Sequence, residues 1–594
     1  MIRHLLAFFL ISVTCFAQVT LHPSDNVPKI VNSKPAGTTF IFTAGTYRLS
    51  ESITPKDNDK FIGEQSCAPP SSPCPAILTG GVEIGSLASQ EAGNYAVAKQ
   101  KQKGARGNPK VCEEGWEGCY YPEDVFFDGT PLKHIEGQSL PSLSAGEWWF
   151  DYNNHTIYFH DDPSGHTVET SVLNTAFAGS ANNITIQYLT IKEFANMYPT
   201  GAVGDAHGKD VLTQGINWKV QNCELTLNHG FAVRVNYGIQ ILHNYIHDNG
   251  QVGIGGGIGD PSINARVLIM GNTINHNDYA HFNPGFGSGG FKVGSTAGVT
   301  LRGNIIQHNE GSGIHFDIDG QNELVDGNVI TDNSDADGLQ QEIGFGPVTF
   351  RNNIVLRNGE KLNGHGPNYQ ISVRASSGTD IYCNVLEIPP GQGVGGWSIG
   401  SSNRGNSTYP PFRYRATFGN SFHHNTIIWE PGAEGEVGFR HNDPGNQPDF
   451  FAKNAVPDFN TYHVSSKSGT YFLYDNDNSK SNHRKSFSEH QRSHAEMHGS
   501  VDTNNRSGFP EVSIQSPADQ STVSGPVTVS ATASDKSGIR KVEFYVDWAL
   551  QGTVNSAPYD FNWANGTSGS HIVAAMAYSN AGIRNCYAVT LNQQ

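Results

Sequence analysis

Charge is scarce in this 594-residue chain: Asp, Glu, Lys and Arg together make up 16% of it, against roughly a quarter in an ordinary globular protein. Basic charge is scarcer still, with 38 Lys and Arg against 55 Asp and Glu for a net −17. Without a Lys/Arg surplus the chain cannot neutralise a phosphate backbone, which excludes nucleic acid as partner. After the N-terminus no apolar run is long enough to span a bilayer. The eight cysteines lack metal-type spacing, so no metal site is read from them. Cys67/Cys74 and Cys112/Cys119 repeat one short spacing and suit local disulfides, whereas Cys223, Cys383 and Cys586 sit in apolar strand patterns and read as buried thiols.

What the chain does have is glycine, 67 residues of it, and a degenerate Asn-x-Ile-x-x-Asn repeat. The repeat runs Asn244-Tyr-Ile-His-Asp-Asn249, Asn272-Thr-Ile-Asn-His-Asn277, Asn304-Ile-Ile-Gln-His-Asn309, Asn328-Val-Ile-Thr-Asp-Asn333 and Asn353-Ile-Val-Leu-Arg-Asn358, at intervals of 24 to 32 residues. Short apolar alternation at such a period marks the stacked coils of a β-solenoid, each about 4.8 Å above the last. The asparagines read as structural, being turn formers whose amides can bond along the stack. Residues at one phase then form a column, and a site is read as a column.

Arg3, His4, the apolar run Leu5 to Val13 and Cys15-Phe16-Ala17 before Gln18 have the form of a secretory signal peptide over 1–17, so a secreted or periplasmic location is expected. Residues 18–183 read as a solenoid start carrying loops (66–123) and a hairpin, Glu147–Asp151 with Thr156–Phe159. Residues 184–500 form the main solenoid, closed by a short helix that starts with a capping box at Ser488-Glu-His-Gln491. A polar linker, 501–509, leads to an antiparallel sandwich over 510–594, shown by regular strands such as Val542–Val546 and Tyr559–Trp563. The expected class is all-β, a parallel β-helix followed by a small β-sandwich, in a monomer.

Strand alternation points neighbouring side chains to opposite faces. In Gly313-Ile-His-Phe-Asp-Ile-Asp319 the apolar Ile314, Phe316 and Ile318 take the interior, which turns His315, Asp317 and Asp319 outward. Lys292, Asp317 and Glu342 are spaced 25 residues apart, one coil each. With Arg234 and Arg374 they are expected to line one outer groove, Gln340 beside them. Carboxylates on successive coils stand near the roughly 5–5.5 Å that suits a retaining glycosidase. His207, His229, His247 and His281 fall near the loops that border the groove.

Several segments resemble known families. Pro35-Ala-Gly-Thr-Thr-Phe-Ile-Phe-Thr-Ala-Gly-Thr-Tyr47 resembles the opening coil of secreted pectin-lyase-like proteins, which implies a right-handed parallel β-helix. Ser516-Pro-Ala-Asp519 with Gly538-Ile-Arg-Lys-Val-Glu-Phe-Tyr-Val-Asp547 resembles the bacterial immunoglobulin-like modules of carbohydrate-active enzymes, implying a spacer or attachment module. Gly313-Ile-His-Phe-Asp317, Gly338-Leu-Gln-Gln-Glu-Ile-Gly-Phe-Gly-Pro347 and Asn352-Asn353-Ile354 are similar to the catalytic segment of β-helix β-xylosidases. That likeness implies Asp317 as nucleophile and Glu342 as acid/base, the latter kept protonated by its neighbour's charge. Lys292, His315, Asp319, Arg234, Arg374 and Gln340 would then bind a polysaccharide or oligosaccharide, with no metal or other cofactor. Gly364-His365-Gly366 resembles a pectin-hydrolase motif without its companions and is read as chance. Two other classes compete: a lyase with Lys292 as base on a uronate polymer, whose relatives often use Ca²⁺, and a non-catalytic adhesion protein.

Overall fold

In the computed structural model the described residues are 17–594 except 92, 103, 105–108, 205–214, 361–367, 392, 408–413, 444, 474–483, 505–507 and 565. The leader up to Phe16, His207 and Gly364-His365-Gly366 lie outside them.

Three long sheets of 12, 13 and 11 strands run the length of a parallel β-helix. The first sheet begins with Gln18–Leu21, Thr39–Phe42 and Lys60–Gly63, so the segments before residue 66 are already coils. Both asparagines of the repeat are buried, and each amide bonds its counterpart one coil away. Asn244, Asn272, Asn304, Asn328, Asn353, Asn384, Asn425 and Asn460 form one ladder, Nδ2 to Oδ1 at 2.9–3.2 Å. A second ladder runs from Asn228 through Asn249, Asn277, Asn309, Asn333 and Asn358 to Gln370. The residue before each first-ladder asparagine turns the chain through the left-handed region, with φ 67° at Gly271 and Gly327 and 59° at Gly303. Glycine adopts that φ without strain, which explains its place there.

The third sheet carries the groove. Its main strands are β1 (Gly201–Val203), β2 (Phe231–Arg234), β3 (Val252–Gly256), β4 (Gly289–Gly294), β5 (Glu310–Asp317), β6 (Leu339–Glu342), β7 (Asn368–Arg374), β8 (Val394–Gly400), β9 (Val437–Arg440) and β10 (Phe472–Leu473), with the short Ser334–Asp335 as the eleventh, paired with β5. Ile314, Phe316, Phe291 and Leu339 are fully buried on its inner side, which fixes the outward direction of their neighbours.

The 66–123 region is more ordered than its Pro/Gly/Cys content implies. Asn94–Val97 pairs with Thr156–Phe159, and that strand pairs antiparallel with Glu147–Asp151 in a sheet of its own. Cys67–Cys74 and Cys112–Cys119 are disulfides. The late helix is Phe487–Arg492, two residues earlier than expected, because the capping box forms between Ser486 and Glu489. It does not end the solenoid: Ser500–Asp502 adds one more rung beside Thr461–His463.

Residues 511–593 form a sandwich of three- and five-stranded sheets. Cys383 and Cys586, read as buried thiols, instead form a disulfide between the β-helix and this module, while Cys223 is free and buried. Around the bridge Tyr382, Ala574, Met576 and Ala588 pack together. Trp548 stacks on His424 at 4.1 Å. Arg351 is buried between Asp326 and Asp519 at 3.2 and 2.9 Å, and the Asn352 side chain both donates to and accepts from the Ala588 backbone at 2.8 Å. The module is therefore docked on the first sheet and does not hang from its linker.

Candidate functional site

The outward positions of the third sheet make two columns rather than one. Register pairs Lys292 with His315 and His315 with Gln340, so the coil from 292 to 315 has 23 residues and the coil from 315 to 340 has 25. Arg234, paired with Gly255, continues that first column below Lys292. The second column stands two residues further along each strand: Gly294 beside Asp317, then Glu342, Arg374, Gly400 and Arg440. The 25-residue step from Lys292 to Asp317 thus joins neighbouring columns. Lys292 nevertheless reaches across, its Nζ 3.4 Å from Asp317 Oδ2.

Asp317 and Glu342 meet as expected. One oxygen of each, with a ring nitrogen of His315, all lie within 4.8 Å of one another. The Ile318 N–H donates to Asp317 at 2.9 Å and helps orient its carboxylate. Glu342 lies 3.3 Å from each of three partners: His315 Nε2, the donating Gln340 Nε2 and Arg404. Burial pushes the Glu342 carboxyl up, but the proximity of His315 and the charges of Arg374 and Arg404 outweigh it and hold the group at about 2. Glu342 is thus held ionised at rest, contrary to the expectation that it stays protonated. His315 is buried and its pKa is lowered by burial and by the Lys292 charge, despite the pull of the two carboxylates.

Two binding expectations need correction. Asp319 does not reach the groove: Ile318 (φ 39°) and Asp319 (φ 61°) turn left-handed, which ends the alternation, exposes Ile318 and buries Asp319 under a bidentate Arg415 at 2.6 and 2.8 Å. Arg234 is also largely buried, donating to Val235 O and Gly257 O at 3.1 and 2.9 Å, although part of it lines the cleft below Lys292. Arg374 stands at the rim beside Glu342 and pairs with buried Asp337 at 3.0 Å. His229 is buried on Asp124, His247 pairs with Asp248 and Glu224, and His281 with Glu310 and Glu113, so these three histidines are absorbed by local contacts.

The carboxylates stand between two cavities. Asp317 closes a cleft of about 360 Å³ that is walled by Tyr198, Phe231, Phe286, Lys292 and Ile318. Tyr198 meets Phe286 and Phe231 edge-on at 5.7 and 5.9 Å, and its exposed ring forms an aromatic ledge. Glu342 closes a second cavity of about 280 Å³, lined by Tyr369, Arg374, Ser398, Arg404, Arg440 and Asn442. Sequence reasoning missed Tyr198, Phe286, Arg404 and Arg440. The first three lie on loops or the Asn403–Asn406 strand, outside the repeat. Arg440 is in register with Gly400, but the loops between them hide the period.

Calcium does not fit here. His315, Asp317 and Glu342 offer one nitrogen and two carboxylates, and Lys292 and Arg404 already contact those carboxylates. Calcium takes six to eight oxygens.

Residues 211–386 match the family described as right handed beta helix region, and residues 510–575 match the bacterial Ig domain. No curated protein matches the chain. Among solved structures, the A-module of a mannuronan C-5 epimerase from Azotobacter vinelandii is similar at 12% identity over 80% of this chain and 92% of its own, TM-score 0.39. The catalytic unit of a GH87 alpha-1,3-glucanase from Streptomyces thermodiastaticus is similar at 10% over 80% and 63%, TM-score 0.36. PfbA, a surface adhesin of Streptococcus pneumoniae, is similar at 8% over 75% and 86%, TM-score 0.28. The chain thus joins a right-handed parallel β-helix to a bacterial immunoglobulin-like domain.

Proposed function

We propose that the protein is a carbohydrate-active enzyme, a retaining glycoside hydrolase whose catalytic pair is Asp317 and Glu342. The observation that carries this reading is the pair itself: two carboxylates on adjacent coils, with oxygens within 4.8 Å, where retaining hydrolysis needs about 5–5.5 Å. Glu342, held ionised, suits the nucleophile, the reverse of the role implied by the β-xylosidase likeness. Its carboxylate attacks the anomeric carbon as the glycosidic C–O bond breaks, and Asp317 gives a proton to the leaving oxygen. Water then attacks the glycosyl ester while Asp317 takes back the proton, releasing the sugar and free Glu342. A glycan laid along the helix axis would place one sugar over the aromatic ledge and the next over the arginine-lined cavity. Secretion is consistent with three disulfides, which persist in oxidising compartments.

Single-residue kinetics test the roles. Glu342→Ala should lower turnover by several orders of magnitude and regain part of it with azide, giving a glycosyl azide of inverted configuration. Asp317→Ala should be slow mainly on poor leaving groups, with azide giving the retained product. Azide products of the opposite configurations would restore the roles implied by the likeness. A lyase is the second reading, favoured by Lys292 in the cleft at 3.4 Å from Asp317; for it, Lys292→Ala would abolish turnover while Glu342→Gln is tolerated.

A further inference from the structure

The cavity on the Glu342 side has an unusual wall for a chain of net −17. Among the described residues three guanidinium groups line it, Arg374, Arg404 and Arg440, against a single carboxylate, Glu342. Two further acids lie beneath the wall. Asp337 is buried and takes Arg374 from below, together with the Ser372 hydroxyl and the Tyr369 N–H at 2.6 Å each. Glu436 is buried and takes Arg440 at 2.8 Å and the Tyr369 hydroxyl at 2.6 Å. These contacts hold two of the arginines in place, and Arg404, more than half exposed, overhangs from its own strand.

Register explains why there is room between them. Arg374, Gly400 and Arg440 are consecutive in one column, so the two arginines are two coils apart and the coil between them carries no side chain. A Cβ at Gly400 would meet nothing closer than Asn442 Nδ2 at 3.6 Å. The gap is about 9–10 Å from strand to strand, with Ser398, Ser402 and Asn442 as further polar groups in the wall. Guanidinium groups on either side of such a gap suit a carboxylate or sulfate, which accepts their charge-assisted hydrogen bonds.

We infer that this cavity is an anion subsite and that the substrate is an acidic glycan, with a uronate carboxylate or sulfate ester on the sugar next to Glu342. The inference rests on the carbohydrate reading above. It departs from the neutral xylose chemistry that the β-xylosidase likeness implies.

Calorimetric titration of the full chain with methyl glucuronide, glucose 6-sulfate and glucose tests it, since none needs to be cleaved. At least one acidic sugar should bind tenfold or more tighter than glucose, and less tightly as salt rises. Arg404→Gln, a substitution at an exposed side chain, should weaken acidic sugars at least fivefold and leave glucose unchanged. Arg440→Gln should do the same if circular dichroism shows it folded. The tighter of the two acidic sugars identifies the substituent. Equal affinity for acidic and neutral sugars, or indifference to Arg404→Gln, would overturn the subsite. Arg-dependent binding of acidic sugars without hydrolysis of acidic oligosaccharides would leave the subsite standing and sink the hydrolase. Arg-independent cleavage of neutral oligosaccharides would do the reverse.

Discussion

Glu342 owes its depressed pKa to His315, Arg374 and Arg404. Because its folded pKa is depressed, to about 2, its contribution to stability is fully present above the ordinary glutamate value and is lost as pH falls through about 2. Glu342→Gln should therefore flatten the acid limb of a Tm-versus-pH curve below about pH 4.3, and an unchanged limb would remove the electrostatic argument for its role. The pair was readable from sequence because Asp317 and Glu342 share a strand phase and the coil between them carries no insertion. Lys292 was assigned to the wrong column because its coil is two residues shorter. Asp319 was misplaced because a left-handed turn after β5 breaks the alternation rule at a residue whose type gives no warning.

At the scale of the coils, the ladders carry the account. Asn328 is fully buried, accepts from the Asn304 amide and backbone at 2.9 and 3.0 Å, and donates to Leu301 O and Asn353. Asn328→Ala leaves several of these groups unpaired, so it should cost on the order of 3–5 kcal/mol by urea denaturation. The first ladder ends on a carboxyl, Asn460 donating to Glu496 at 2.6 Å beside the Tyr462 hydroxyl. Burial raises the Glu496 pKa to about 7 despite those hydrogen bonds. A raised carboxyl favours the fold below its unfolded pKa and gives up that contribution as pH climbs through about 7. Glu496→Gln should thus stabilise the protein at pH 8 by up to a few kcal/mol and hardly at all at pH 5. The ladders were legible as a repeat of turn-forming asparagines. Their ending on Glu496 was not, since its sequence neighbourhood carries no repeat.

For the whole molecule, the immunoglobulin-like module is bolted to the β-helix through Cys383–Cys586, Arg351–Asp519 and the Asn352–Ala588 contacts. Its strand pattern was legible, but its docking partner was not, because the bridge spans 203 residues and neither cysteine belongs to a motif. Cys586→Ser should lower stability by up to roughly 5 kcal/mol through the chain entropy of so long a loop, read as a lower Tm without reductant. Ending the chain near Asn504 should destabilise it, because Arg351 would lose Asp519 while remaining beside Asp326. Full retention of Tm would show that the module is a passenger.

The central claim is that the groove cleaves a glycosidic bond with retention through Asp317 and Glu342. Proton NMR of the first products from an oligosaccharide panel that includes uronate and sulfate sugars tests it most directly. The account predicts a new reducing end whose first anomer matches that of the cleaved linkage, absent with Glu342→Ala. An inverted first anomer, or unsaturated sugar ends that vanish with Lys292→Ala and persist with Glu342→Gln, would contradict it.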